Sequence, residues 1–138
     1  MKFENSEFFK LKHFKVEMSF GNFYLLETFF ISELNEGVHF DWEMIKNTMS
    51  HLVDFYGEDA KIGYISNRVN SYSMNPETWN KVHKKYNMLT FGAIVSYNNI
   101  TFLNASLEKQ FSNVIKIKAC HTLKEAIEWI LTKSYCPS

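Results

Sequence analysis

From Phe14 to Phe20 the chain alternates, with Phe14, Val16, Met18 and Phe20 interleaved by Lys15, Glu17 and Ser19. A period of two sets one side of a strand in a core and the other in water. Gly21-Asn22 then supplies a two-residue turn, and the more apolar run Phe23 to Ser32 returns as the second arm of an antiparallel hairpin. After Asp41 the period changes to three and four: Trp42, Ile45, Met49, Leu52, Val53 and Tyr56 predict an amphipathic helix with Asp41 as its N-cap and Gly57 at its end. Lys61 to Ile65 reads as a short buried strand. Asn75-Pro76-Glu77 opens the next helix, with Trp79, Val82, His83 and Tyr86 on one face. Leu89 to Tyr97 is apolar on both faces and uncharged, as a central parallel strand requires. A helix from Asn99 to Phe111 gathers Ile100, Leu103, Leu107 and Phe111, a face expected to cover the sheet. Ile115 and Ile117 alternate with Lys116 and Lys118 in an edge-like strand. Thr122-Leu123-Lys124-Glu125 is a capping box for a last helix with Leu123, Ala126, Ile127 and Ile130 inward.

The resulting order, ββαβαβαβα, predicts an α/β fold: a mixed, mostly parallel sheet that begins with an antiparallel hairpin and carries helices packed on it. No repeat, low-complexity tract or linker interrupts it, so residues 1–138 are expected to form one domain, with 1–12 and 134–138 as loose tails.

Composition narrows the function classes. Fifteen Lys and Arg residues balance fifteen Asp and Glu, so the whole molecule has no electrostatic attraction for nucleic acid or an anionic membrane. The acidic start Met1-Lys2-Phe3-Glu4 does not suit a signal peptide, and no window approaches 18 uncharged apolar residues; a cytoplasmic protein without a membrane span is expected. Cys120 and Cys136 then read as free thiols. Charge is uneven along the chain: Glu27 to Asp59 holds eight acids and one base, whereas Lys61 to Lys124 holds nine bases and two acids.

Two segments could carry chemistry. The run from Ser66 to Met74 is a polar connection of about nine residues where strand-to-helix loops usually take two to six. It leaves the C-terminal end of a parallel strand, the place where open α/β sheets put ligands. It contains Ser66, Asn67, Arg68, Asn70, Ser71, Tyr72 and Ser73, and Arg68 is the single arginine beside fourteen lysines. A guanidinium is a planar fork of donors suited to a carboxylate, a phosphate or backbone oxygens. Arg68, Ser71 and Ser73 are therefore candidates for gripping an anionic group or a partner; the structural alternative is that Arg68 ties the loop down while the serines make turns. Lys81, Lys84 and Lys85 share the polar side of the following helix and could receive an acidic partner. The second segment, Glu33 to Asp41, places Glu33, Glu36 and His39 after the second strand. It lacks a recognised ligand spacing, so neither a metal nor another cofactor is expected, and a solvated loop is the plainer reading. No nucleophile elbow, phosphate-binding glycine loop, dinucleotide fingerprint or Cys-x-x-Cys occurs, and His83 is expected to be a satisfied core histidine.

The hairpin Phe14 to Ser32, the block Lys61-Ile62-Gly63-Tyr64-Ile65-Ser66-Asn67-Arg68, the strand Phe91-Gly92-Ala93-Ile94-Val95 and the closing Thr122-Leu123-Lys124-Glu125-Ala126-Ile127-Glu128-Trp129-Ile130 together resemble the STAS fold. This is the family of anti-sigma-factor antagonists and sulphate-transporter regulatory domains; the likeness is to its bacterial SpoIIAA-like branch, related to SEC14-type lipid-binding modules. The resemblance implies a regulatory or binding module that is not an enzyme. It also implies that Ser66, Ser71 and Ser73 occupy the connection where phosphorylated members carry their serine, although the usual Asp-Ser pair is missing here. The expected function is thus a STAS-like protein-interaction module, with a homodimer possible. The alternative is a carrier or sensor of a lipid-like or small anionic ligand, walled by aromatics.

Overall fold

The computed structural model describes residues 1–75, 77–111 and 115–134. One sheet contains β1 (Phe14–Met18), β2 (Gly21–Leu25), β3 (Phe29–Leu34), β4 (Ile62–Arg68), β5 (Leu89–Ser96) and β6 (Lys116–Cys120), adjacent in that order. β1 with β2 and β2 with β3 are antiparallel; the remaining neighbours are parallel. Helices α1 (Trp42–Tyr56), α2 (Thr78–Tyr86) and α3 (Asn99–Phe111) cross between successive parallel strands, and α4 (Leu123–Ser134) follows β6. The mixed α/β sheet with an antiparallel beginning is the fold class that the sequence predicts.

Two details at the antiparallel end differ from the sequence reading. The turn falls at Ser19-Phe20, because Met18 pairs with Gly21 and the glycine already belongs to β2. A glycine is needed there: a Cβ would stand 2.7 Å from both the Glu33 carbonyl oxygen and the Leu34 Cα of β3. The run from Phe23 onward is two strands, broken at Leu26, where the Leu26 N–H donates to the Phe29 carbonyl at 2.8 Å.

Three successive crossovers stepping the same way along a sheet share one hand and so place their helices on one face. On that face Phe23, Phe30, Tyr64 and Ile94 pack with Ile45 and Met49 of α1, Trp79 and Val82 of α2, and Ala105 of α3. On the other face Tyr24, Ile31, Ile65 and Val95 meet Leu123, Ala126, Ile127 and Ile130 of α4. Residues 1–12, expected as a loose tail, contribute two 3-10 turns here (Phe3–Asn5 and Glu7–Lys10), and Phe3 is completely buried. The tail from residue 135 lies outside the described residues, as do Pro76 and Cys136.

Local signals explain the helix ends. The Asp41 carboxylate accepts the Met44 N–H at 2.9 Å, and α1 stops at Gly57 with φ 93°. Thr122 accepts the Glu125 N–H at 3.0 Å while the Glu125 carboxylate accepts the His121 N–H at 3.0 Å, so the predicted capping box forms in a slightly shifted version.

α3 departs from its predicted orientation. Ile100, Leu103 and Leu107 were expected against the sheet, but they are 74%, 64% and 50% exposed. Ala105 and Glu108 are buried in their place. The side chain of Phe111, expected on the same face, lies outside the described residues. The physical reason is Glu108, whose carboxylate is required inside.

Candidate functional site

β3, β4 and β5 run parallel, so the chain leaves all three at the same end of the sheet. This juxtaposes the two segments singled out in the sequence. Residues 35–41 leave β3 and residues 69–77 leave β4, its neighbour, and the two connections pair with each other. Gly37 N–H donates to the Ser71 carbonyl at 2.8 Å, Ser73 N–H to Val38 at 2.9 Å and Phe40 N–H to Ser73 at 2.9 Å. His39 and Ser73 form a parallel bridge, and His39 Nδ1 lies 2.8 Å from Ser73 Oγ. The Glu36 carboxylate accepts the Ser71 N–H at 2.8 Å, and Asn70 donates to the Leu34 carbonyl at 3.1 Å. Glu36, His39, Ser71 and Ser73 are therefore solvent-exposed members of one braced ridge.

Ser66, Asn67 and Arg68 have a different environment. β4 runs three residues beyond the expected strand end, so these residues lie within the sheet and not on the loop. Alternation sends Ser66 and Arg68 to the face of α1, α2 and α3, and Asn67 to the face of α4. Arg68 is buried, and its two terminal nitrogens meet both Glu108 oxygens at 2.6 and 2.8 Å. Its Nε donates to Ser66 Oγ at 3.2 Å and to the Tyr72 hydroxyl at 3.1 Å, and those two hydroxyls also hydrogen-bond each other. Trp79 Nε1 donates to Glu108 at 3.0 Å. Burial alone lowers the affinity of Arg68 for its proton, but the Tyr72 phenol and the Glu108 carboxylate outweigh that effect and raise its pKa. Arg68 remains a cation whose fork is filled by Glu108, so its donors tie α3 and the loop to β4.

A second buried cluster occupies the opposite face. Glu33 accepts the Phe3 N–H at 2.7 Å and an Asn67 amide proton at 2.8 Å, and the same Asn67 amide donates to the Met1 carbonyl at 2.9 Å. The Tyr97 hydroxyl donates to Asn67 Oδ1 at 2.7 Å. Glu33 and Asn67, named from separate segments, thus meet each other and hold the N-terminal turn.

Sequence reasoning missed Glu108, Trp79 and Tyr97. A signal for Glu108 was present: an arginine inside a buried strand requires an acid, and Lys61 to Lys124 offers only Glu77 and Glu108. His83 is half-buried, and its Nδ1 has no hydrogen-bond partner among the described residues, in contrast to the satisfied histidine expected. Beside the ridge, Lys81 and Lys85 lean over the Trp42 ring, 4.2 and 6.0 Å from its centroid.

Between α1, α2 and the sheet lies a cavity of about 30 Å³, walled by Phe23, Phe30, Met49, Trp79 and Val82. That is space for roughly two waters and far below the several hundred Å³ of an ordinary ligand site. Among the described residues no three His, Cys, Asp or Glu side chains are grouped to hold a metal, and no helix is long and apolar enough to cross a membrane.

No family model and no curated protein matches the sequence. Among solved structures the chain is similar to an uncharacterized protein of the DUF3478 family with a SpoIIAA-like fold from Shewanella loihica PV-4. The TM-score is 0.55 at 10% identity, over 86% of this chain and 92% of that one. At this identity the likeness establishes the fold alone: the chain has a SpoIIAA-like fold, as the resemblance implied.

Proposed function

We propose that this domain is a non-catalytic, cytoplasmic interaction module that holds a protein partner on the ridge formed by residues 36–40 and 71–73. The observation that carries this reading is the pairing of the two connections: main-chain bonds and the His39–Ser73 contact brace exposed polar groups in one place before any partner arrives. Such preorganisation reduces the ordering cost of association. The Arg68–Glu108 network stiffens the ridge from beneath through Tyr72. Lys81, Lys84 and Lys85 on α2 add positive charge beside it, which favours a partner with an acidic patch.

The carrier alternative meets two obstacles. The cavity has no room for an acyl chain, and the arginine that would clamp an anionic head-group is already paired.

Native mass spectrometry of the tagged chain, purified from its own cells, tests the proposal against that alternative. The expected result is a heteromeric complex that disappears in the variant combining His39→Ala, Ser73→Ala and Lys84→Glu while the thermal midpoint stays within a few degrees. A small-molecule adduct lost on denaturation would support the carrier, and a complex indifferent to these substitutions would overturn the ridge as its docking surface.

A further inference from the structure

The outward face of α3 is an apolar stripe. Ile100, Leu103 and Leu107, three and four residues apart, lie along one side of the helix and are at least half exposed. Three contacts fix this orientation from within. Glu108 is held by Arg68 and Trp79, Phe102 stacks on His121 with ring centroids 4.2 Å apart, and Ala105 is fully buried. The large aliphatic residues consequently cannot turn inward without pulling a carboxylate away from a buried guanidinium.

We infer that this stripe is the interface of a homodimer in which α3 packs antiparallel against α3 of a second copy. The spacing is self-complementary, as a two-fold contact requires. An axis between Leu103 and Asn104 sets Ile100 opposite Leu107 of the second copy and brings the two Leu103 residues together at the centre.

Charge selects the same occupant. The charged residues of α3 are Glu108, which is buried and paired, and Lys109. In the antiparallel arrangement Lys109 meets Asn98 of the second copy, so no like charges face each other. The flanking Asn98, Asn99 and Asn104 supply an uncharged polar rim. A helix that lies on an anionic lipid surface carries several basic residues on its polar side, and α3 offers one.

The test is sedimentation velocity across a concentration series, with the variants Ile100→Lys and Leu107→Glu. The wild type is expected to associate to twice its 16.3 kDa mass. Each variant alone is expected to weaken association about tenfold or more, a shift of roughly 1.4 kcal/mol. Mixing the two variants should restore a dimer, because the introduced charges then face each other while the other half of the interface stays wild type. The substituted positions are exposed, and circular dichroism and thermal melting confirm that each variant is folded. A wild type that stays monomeric, a dimer indifferent to both variants, or a mixture that fails to re-associate would each overturn the inference. Co-sedimentation of wild type, but not of Leu107→Glu, with phosphatidylcholine–phosphatidylglycerol vesicles would overturn it in favour of a membrane.

Discussion

α3 and α4 are amphipathic helices of similar length against one sheet, and they meet it in opposite ways. α4 buries Leu123, Ala126, Ile127 and Ile130 beneath it, whereas α3 buries Ala105 and Glu108 and turns Ile100, Leu103 and Leu107 to solvent. Exposing those three to the observed degree forgoes roughly 4 kcal/mol of burial. Stranding Arg68 without its carboxylate would cost about 3–5 kcal/mol. The two terms are of the same size, so a single buried ion pair is sufficient to reverse a helix whose periodicity points the other way. A helical period defines an apolar face; it does not say what that face meets.

The most severe way to break this contrast is Glu108→Ala, which leaves Arg68 buried and unpaired and should cost about 3–5 kcal/mol in urea unfolding. The double variant Arg68→Met with Glu108→Met sharpens the point. Removing both charges should be close to neutral or stabilising, and with no ion pair fixing position 108 inward, α3 is free to turn. A cysteine introduced at Leu107, alkylated rapidly below the concentration at which copies associate, should then lose that reactivity.

On the α4 side, Ile127→Ala should cost about 2–5 kcal/mol through the cavity left in a fully packed core. The same face buries Cys120, whose thiol is pushed up to about 12 from 9.0, by burial first and then by the nearby Glu125 carboxylate. The native state therefore holds that proton longer than the unfolded chain does. Its contribution is fully present below pH 9 and is lost between pH 9 and 12, so stability should fall across that window. Cys120 should also resist alkylation at pH 8 until the protein is denatured. The smallest effect is expected from Leu103→Ser, which should change stability by less than about 0.5 kcal/mol when measured below the concentration at which copies associate.

The parts legible in the sequence are those whose signal is local. The Asp41 cap, the Gly57 stop, the strand β1 and the uncharged β5 depend on neighbouring residues, and each lies where the pattern places it, whereas the Thr122 box is shifted by one residue and Phe14, expected on the core side of β1, is 57% exposed. The break between β2 and β3 was illegible because Leu25 and Leu26 precede it, Phe29 and Phe30 follow it, and no glycine or proline marks it. Ser66-Asn67-Arg68 looked like loop because polar residues seldom fill a buried strand. They do so here because Glu33, Tyr72 and Glu108, remote in sequence, satisfy them. The ridge was half legible. Both of its segments stood out by composition, but their meeting depends on β3 and β4 being adjacent and parallel, which is a property of the topology.

The most direct test of the ridge as a docking surface is site-specific photo-crosslinking in living cells. A benzophenone side chain would be placed at Ser71 on the ridge and, for comparison, at Glu58 beyond the end of α1. The account predicts a discrete heteromeric adduct from position 71, absent from position 58 and suppressed when Lys81 and Lys84 are both changed to Glu. Equal adducts from both positions, or an adduct from position 58 alone, would contradict it.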